Sequence, residues 1–277
     1  MELWETASLR ATTHFPLDVA DQTPLALSPQ GKWIALGEPD GAIRLVEAST
    51  GREIANFGPR DAGVKALAFS LDGKKLAVAT AEHKFRVWAV ATKQVLSEMA
   101  HRANLMDRPS SFTFSADGAA LCASYEDNTA EIFDTATGRR LGLLEGAKGL
   151  ICGAVLLPDG RTAATADICQ DVKLWELKTQ KELVTLRGER LWYTALALSL
   201  DGRRLAAGGS PVRLWDPATH QQVALLKLPP PEYPTALAFS ADGNMLVMAG
   251  EQSLHTWRAA SWAEIEAAEK KTEGKTQ

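Results

Sequence analysis

An all-β propeller is predicted for this chain by two features that run in phase along it. The first is an apolar-aromatic-polar triplet whose bulky residue falls at Trp4, Val46, Trp88, Phe133, Trp175, Trp215 and Trp257, at intervals of 42, 42, 45, 42, 40 and 42 residues. Self-similarity at such a period marks propeller blades, because one unit cannot bury both of its faces alone and does so only by stacking on its neighbours. The second is a turn. S-P-Q-G ends at Gly31, and S-L-D-G, S-A-D-G, L-P-D-G, S-L-D-G and S-A-D-G end at Gly73, Gly118, Gly160, Gly202 and Gly243. Asp-Gly between apolar runs signals a hairpin, since Gly reaches the positive φ that a tight turn needs.

Each unit then reads as four strands. The first lies before the turn (PLALS, VKALAFS, SSFTFS, GAVLL, TALALS, TALAFS) and the second after it (WIALG, KLAVAT, ALCASY, TAATA, RLAAGG, MLVMAG). The third carries the aromatic (AIRLVE, KFRVWAV, AEIFD, VKLWE, VRLWD, LHTWR), and a fourth such as REIANF or KELVTL follows a short turn. Four strands make one blade. The first and second strands are apolar on both sides rather than alternating, as expected where each sheet is sandwiched between two others. Regular turns and abundant Val, Thr, Leu and Phe decide for strand over buried helix. The third-strand Trp residues are expected as large fillers between blades rather than as a ligand box. Blades are predicted to begin near residues 24, 64, 110, 150, 192 and 234.

Composition bounds the function. The chain has 277 residues, 45% hydrophobic and 23% charged, with a formal net charge of -4. That suits one large globular domain and argues against nucleic acid, which calls for a strongly basic face. Nothing approaches 18 consecutive apolar residues, and MELWETASLR lacks the basic and apolar regions of a signal peptide, so no membrane association is expected. Cys122, Cys152 and Cys169 have no ligand-like spacing and cannot all pair, which favours a reduced, cytoplasmic setting.

The repeat resembles the WD40 family, and the resemblance covers nearly the whole chain. Its best units are ALAFSLDGKKLAVATAEHKFRVWAV and TALALSLDGRRLAAGGSPVRLWD. Leu214-Trp215-Asp216 matches the family's terminal dipeptide, with Leu174-Trp175-Glu176 and Ile132-Phe133-Asp134 as near matches. The Gly-His dipeptide of the family is absent: GPRDAG, AHRANL, EGAKGL and GERLWY stand in its place, with His101 the nearest relic. The family's Asp-His-Ser/Thr-Trp hydrogen-bonded network therefore cannot form in most blades, although Asp40, Asp127 and Asp171 could brace the turns between second and third strands. The resemblance is to a degenerate, bacterial-type WD40 protein held chiefly by packing. It implies a non-catalytic protein-interaction scaffold, in bacteria often part of a longer signalling protein.

Two readings of the ends stand open. LWETASLRATTHF aligns with the third and fourth strands of a unit, LVEASTGREIANF. In the first reading, six four-stranded blades are closed by the N-terminal strand SLRATTHF, which supplies the outer strand of the last blade and removes exposed edges. In the alternative, the chain is an incomplete seven-bladed propeller and MELW belongs to a blade whose first half is missing. In the first reading the domain runs 1–262 with residues 1–16 as closing strands, and residues 263–277 form a short helix and a solvated tail.

Catalytic and metal motifs are absent: no P-loop, G-x-S-x-G, H-E-x-x-H or spaced Cys/His set occurs. His14, His83, His101, His220 and His255 fall in different units, and the chain is expected to need no cofactor, no metal and no catalytic residue. Binding through one face is better supported, because loops of different blades converge there on a rigid scaffold. Arg102 and Arg108 lie in the longest such loop. Arg190, Trp192 and Tyr193 precede blade five, and Tyr233 precedes blade six at a position equivalent to Trp192. Exposed aromatics with Arg are typical of interface hot spots, and these six residues are the candidate contacts for a protein or peptide partner. The bland alternative is that Trp192 and Tyr233 merely cap blade ends. Acids at Glu38, Asp40, Glu82, Glu126, Asp127, Asp167, Asp171 and Glu251 would ring the same face and favour a basic segment. The runner-up function is a propeller hydrolase or small-molecule binder that uses the central channel.

Overall fold

In the computed structural model, the described residues are 2–5, 10–14, 23–82, 84–100, 109–125, 127–169, 171–188, 192–228, 233–240, 242–250 and 253–258. The in-phase turns organise them. Ser70 Oγ donates to Asp72 Oδ1 at 2.6 Å and accepts from the Lys75 N–H at 2.9 Å, tying the start of the next strand to the end of the last. Ser115 with Asp117, Ser199 with Asp201 and Ser240 with Asp242 repeat the arrangement. Each aspartate also accepts from a backbone N–H two residues on. The glycine alone turns left-handed, with φ of 70° at Gly73 and 68° at Gly118, as the Asp-Gly signal predicts.

These turns produce five four-stranded antiparallel sheets and one of three strands. A separate N-terminal hairpin pairs β1 (Glu2–Glu5) with β2 (Arg10–His14). Blade one is β3 (Leu25–Leu27), β4 (Trp33–Gly37), β5 (Ile43–Glu47) and β6 (Glu53–Phe57). Blade two is β7 (Val64–Phe69), β8 (Lys75–Thr80), β9 (Lys84–Ala89) and β10 (Gln94–Ala100). Blade three follows as β11 (Pro109–Phe114), β12 (Ala120–Tyr125), β13 (Thr129–Asp134) and β14 (Arg140–Glu145). Blade four is β15 (Ile151–Leu156), β16 (Thr162–Asp167), β17 (Asp171–Glu176) and β18 (Lys181–Arg187). Blade five is β19 (Ala195–Leu198), β20 (Leu205–Gly208), β21 (Val212–Asp216) and β22 (Gln221–Leu226). Blade six has β23 (Ala236–Phe239), β24 (Met245–Ala249) and β25 (Leu254–Arg258). The chain is therefore the expected all-β six-bladed propeller.

The core lies between blades. Phe133 joins Ala77, Phe85, Val87 and Met99 of blade two, while Trp175 joins Cys122, Ile132 and Leu144 of blade three. Trp88, Trp215 and Trp257 likewise pack back onto blades one, four and five. Burial of these rings, each worth roughly 2–3 kcal/mol of transfer free energy, is what the repeated aromatic supplies. Polar clasps add direction: Lys75 Nζ donates to the Gly118 carbonyl at 2.8 Å in the next blade, and Arg204 Nη1 donates to the Gly243 carbonyl at 2.8 Å.

The ends differ from the first reading. Among the described residues β2 pairs with β1 alone, and β25 has β24 as its only strand partner. The strand Arg10–His14 therefore does not serve as the outer strand of blade six. It pairs instead with β1 in a hairpin of its own. The helix expected at 263–277 lies outside the described residues.

Candidate partner-binding face

The loops between second and third strands and those between blades share one face, and side chains of the third strand reach toward it. The residue two positions before the aromatic is charged and buried in four consecutive blades: Arg86, Glu131, Lys173 and Arg213. Each meets a polar partner on the fourth strand. Arg86 Nε donates to Glu98 Oε2 at 2.8 Å, Arg140 Nη1 to Glu131 Oε1 at 2.8 Å, Lys173 Nζ to Glu182 Oε2, and Arg213 Nη1 to Gln222 Oε1 at 2.7 Å. The sequence reading missed this row. Its signal was a charge two residues before the aromatic in four successive repeats, inside strands too apolar to expect one.

The acids expected to ring this face are largely neutralised where they stand. Glu38 pairs with Arg44 at 3.2 Å, Asp40 with Arg60 at 3.2 Å, Glu82 with Lys84 at 3.6 Å and Asp171 with Lys148 at 2.9 Å. Asp40 Oδ1 and Asp127 Oδ1 do brace their turns, accepting from the Ala42 and Thr129 N–H groups at 2.9 and 3.1 Å. In blade four the bracing group is Asp167 rather than Asp171: Asp167 accepts from the N–H groups of Asp171 and Lys148, both at 3.1 Å. Charges paired this closely present a weak field to a basic ligand. Glu126 and Glu251 lie outside the described residues.

The aromatic candidates separate by direction. Trp192 is 71% exposed and Tyr233 53% exposed, whereas Tyr193 is 2% exposed and stands edge-on to Trp215, with ring centroids 6.1 Å apart. Tyr193 is thus a core side chain, and successive residues of an extended segment point to opposite sides. The segments that carry Trp192 and Tyr233 are anchored alike. The Thr194 N–H donates to the Gly208 carbonyl at 2.8 Å and the Thr235 N–H to the Ala249 carbonyl at 2.7 Å, each the last residue of a second strand. Thr194 Oγ1 also donates to the Pro234 carbonyl, which joins the two segments directly. Arg102, Arg108 and Arg190 lie outside the described residues.

Other chemistry is sparse. No group of three or more His, Cys, Asp or Glu among the described residues could hold a metal ion. At the channel mouth on the opposite face, a cavity of 190 Å³ is bounded by Leu71, Phe114, Ala116, Val155, Pro158 and Leu200. The hydroxyls there are already engaged: Thr113 Oγ1 donates to the Ala154 carbonyl, and Ser115 and Ser199 to their turn aspartates. Burial pushes the Cys122 and Cys152 thiols up to about 12, so neither is a nucleophile near neutral pH.

No protein-family model matches the chain. Apoptotic protease-activating factor 1 of Rattus norvegicus is 26% identical over 234 residues, which span 81% of this chain and 18% of that protein. The WD repeat-containing protein SL1-17 of Schistosoma mansoni is 27% identical over 137 residues, 50% of this chain and 44% of its own length. An uncharacterized WD repeat-containing protein of Synechocystis, sll1491, is 28% identical over 163 residues, 58% of this chain and 45% of its own. The chain thus spans less than half the length of each.

Proposed function

Because the chain is a WD40-repeat β-propeller, we propose that it is a non-catalytic interaction scaffold, cytoplasmic in setting, that binds a protein or peptide partner through one face. One observation carries the reading. Trp192 and Tyr233, at 71% and 53% exposure, stand at equivalent positions on neighbouring blades, on segments fixed by the strands beneath them and joined through Thr194. Large aromatics held rigidly in water lose little side-chain entropy on binding and bury much area, which is why they dominate interface energetics. The polar rim needed around such a centre is supplied by paired charges such as Lys148–Asp171.

A channel-based hydrolase is disfavoured by the apolar mouth and the engaged hydroxyls around Leu71, Phe114 and Leu200. General acid–base work would need a convergent titratable pair there.

Substituting Trp192→Ala and Tyr233→Ala together, with Arg190→Ala added in a second variant, tests the proposal in partner capture from the native host. Specific recovery should be lost from a variant whose circular dichroism and urea midpoint match the parent. Undiminished recovery would remove this patch from consideration.

A further inference from the structure

The junction between blades three and four lacks the side chains that fill its counterparts. Two residues after the turn glycine stand Trp33, Lys75, Ala120, Thr162 and Arg204. Trp33 packs into the core shared by blades one and two. Lys75 Nζ donates to the Gly118 carbonyl and to Thr135 Oγ1 at 3.0 Å, and Arg204 Nη1 to the Gly243 carbonyl, each in the following blade. The fourth strand adds a second filler, opposite the residue that precedes the repeated bulky one: Ala55, Ser97, Gly142, Val184 and Ala224. Ser97 Oγ donates to the Thr135 carbonyl at 2.6 Å, and Val184 packs on the core of blades four and five.

Blade three therefore sets Ala120 and Gly142 where blade two sets Lys75 and Ser97. Leu177 is the equivalent of Thr135, because the N–H of each donates to the carbonyl of the residue after the turn glycine, Arg161 and Ala119 respectively. Alanine and glycine carry no side-chain donor, so the Gly160 and Leu177 carbonyls lack the bonds that the Gly118 and Thr135 carbonyls receive. What remains is a cavity of 670 Å³, lined by Ala120, Ile132, Leu141 and Gly142 from blade three and by Gly160 and Leu177 from blade four. Arg161, Lys178 and Glu176 border it as well. Arg161 and Lys178 are exposed, and neither forms an ion pair among the described residues. Glu176 Oε2 already accepts from Thr179 Oγ1 at 2.6 Å. The uncompensated charge at the cavity is thus positive, beside carbonyls that want a donor.

We infer that this cavity binds the C-terminal lysine of a partner peptide. The ammonium takes the place of Lys75 Nζ and donates to the Gly160 carbonyl. The aliphatic stem lies along Ala120, Ile132 and Leu177, and the terminal carboxylate meets Arg161 and Lys178. A ligand with only a cation would face those two side chains uncompensated, and one with only an anion would leave the carbonyls bare. Lysine at a chain end carries both charges within one residue, a span suited to a single cavity. A cation beside an arginine has precedent in this molecule: Arg204 reaches the Gly243 carbonyl at a junction that Arg258 also borders. The volume suits a ligand larger than one amino acid, so preceding peptide residues share it, with the 42% exposed Leu141 beside them. The turns that build this site lie on the face opposite Trp192 and Tyr233, so the inference does not rest on that patch.

The probe is N-acetyl-Ala-Leu-Lys with a free carboxylate, titrated into the full chain and followed by amide chemical shifts. Saturable one-site binding is expected, with the largest shifts at Gly142, Gly160 and Leu177. Replacing the lysine by norleucine, or the carboxylate by an amide, should weaken binding by at least about tenfold, the scale of one charge-assisted contact. Ala120→Lys with Gly142→Ser imports the fillers of blade two and should abolish binding with the urea midpoint kept or raised. A Cβ at Gly142 would stand 3.6 Å from Ile132 Cδ1, an ordinary contact. Arg161→Ala with Lys178→Ala, both at exposed positions, should reduce the free-acid peptide to the affinity of its amide. Trp192→Ala with Tyr233→Ala should leave the peptide affinity intact, which separates this site from the proposed partner patch. Absence of saturable binding to folded protein overturns the inference, as does equal binding of the norleucine peptide or unchanged binding by the Ala120→Lys/Gly142→Ser variant. Free lysine binding as tightly as the peptide would assign the cavity to a free amino acid and overturn the peptide as its occupant.

Discussion

Tyr125 Oη donates a hydrogen bond of 2.9 Å to Glu131 Oε2 inside blade three, and the other oxygen of that carboxylate accepts from Arg140 Nη1 at 2.8 Å. Glu131 is completely buried while Arg140 reaches half into solvent. A buried carboxylate is tolerated only when it is paired and hydrogen-bonded, and here both oxygens are engaged. The neighbouring blades place the opposite charge at this position, with Arg86 on one side and Lys173 on the other.

Truncating Glu131 to Ala leaves the Tyr125 hydroxyl buried without its acceptor and opens a void, so a loss of about 3 kcal/mol is expected. Glu131→Gln keeps an acceptor for Tyr125 and should cost less, about 1–2 kcal/mol. Urea unfolding of the two variants checks the order. Equal losses would show that the charge, not the hydrogen bond, dominates.

Trp175 Nε1 donates to Thr165 Oγ1 at 2.8 Å, across adjacent strands of blade four. In blade two the equivalent second-strand position is Val78, fully buried, and Trp88 Nε1 is buried with no acceptor among the described residues. Val78→Thr should supply that acceptor and raise stability by about 1 kcal/mol, and Thr165→Val should lower it by about 1–2 kcal/mol. A destabilised Val78→Thr protein would mean that the hydroxyl turns elsewhere and is itself stranded.

What could be seen in the sequence and what could not divides along a physical line. Turn glycines and third-strand aromatics are local demands repeated at a fixed period, so Gly73 and Trp88 announced themselves together with their blade. The direction of a side chain in a loop has no such period, and Trp192 and Tyr193 therefore read alike although one points to solvent and the other to Trp215. The Trp175–Thr165 bond is what remains in blade four of the side-chain network that the departures from the repeat ruled out in most blades. The closing strand was misplaced because alignment of LWETASLRATTHF with a third and fourth strand does not say whether the pair docks as a unit or lends one strand away. Among the described residues the two strands pair only with each other.

The Tyr193 hydroxyl is buried, has no hydrogen-bond partner among the described residues, and is pushed up to about 12 by burial. Its removal costs nothing in hydrogen bonding, so Tyr193→Phe should be neutral or stabilising by up to about 1 kcal/mol. The same variant should keep full partner recovery, unlike Trp192→Ala. Loss of recovery in Tyr193→Phe at unchanged stability would return the hydroxyl to the binding site. Gly188→Ala makes the converse case: its Cβ would stand 2.1 Å from Tyr193 Oη, so the ring or the loop must shift and stability should fall.

Acid should unfold the propeller partly through its turns. The carboxyls of Asp72, Asp117, Asp201 and Asp242 are held below the ordinary 3.8 first by their serine hydroxyls and then by backbone N–H groups. A carboxylate whose folded pKa lies below its unfolded one contributes stability in full above the unfolded value, and that contribution is lost as pH falls through the folded value. The urea midpoint should therefore hold above about pH 4 and drop below it. The triple variant Asp72→Asn, Asp117→Asn, Asp201→Asn keeps an acceptor in each turn but cannot titrate, so its midpoint should start lower at neutral pH and fall less steeply in acid. Parallel acid limbs for parent and variant would place the acid sensitivity elsewhere, the Arg86–Asp61 pair being next in line, because there too the guanidinium holds the carboxyl below its usual range.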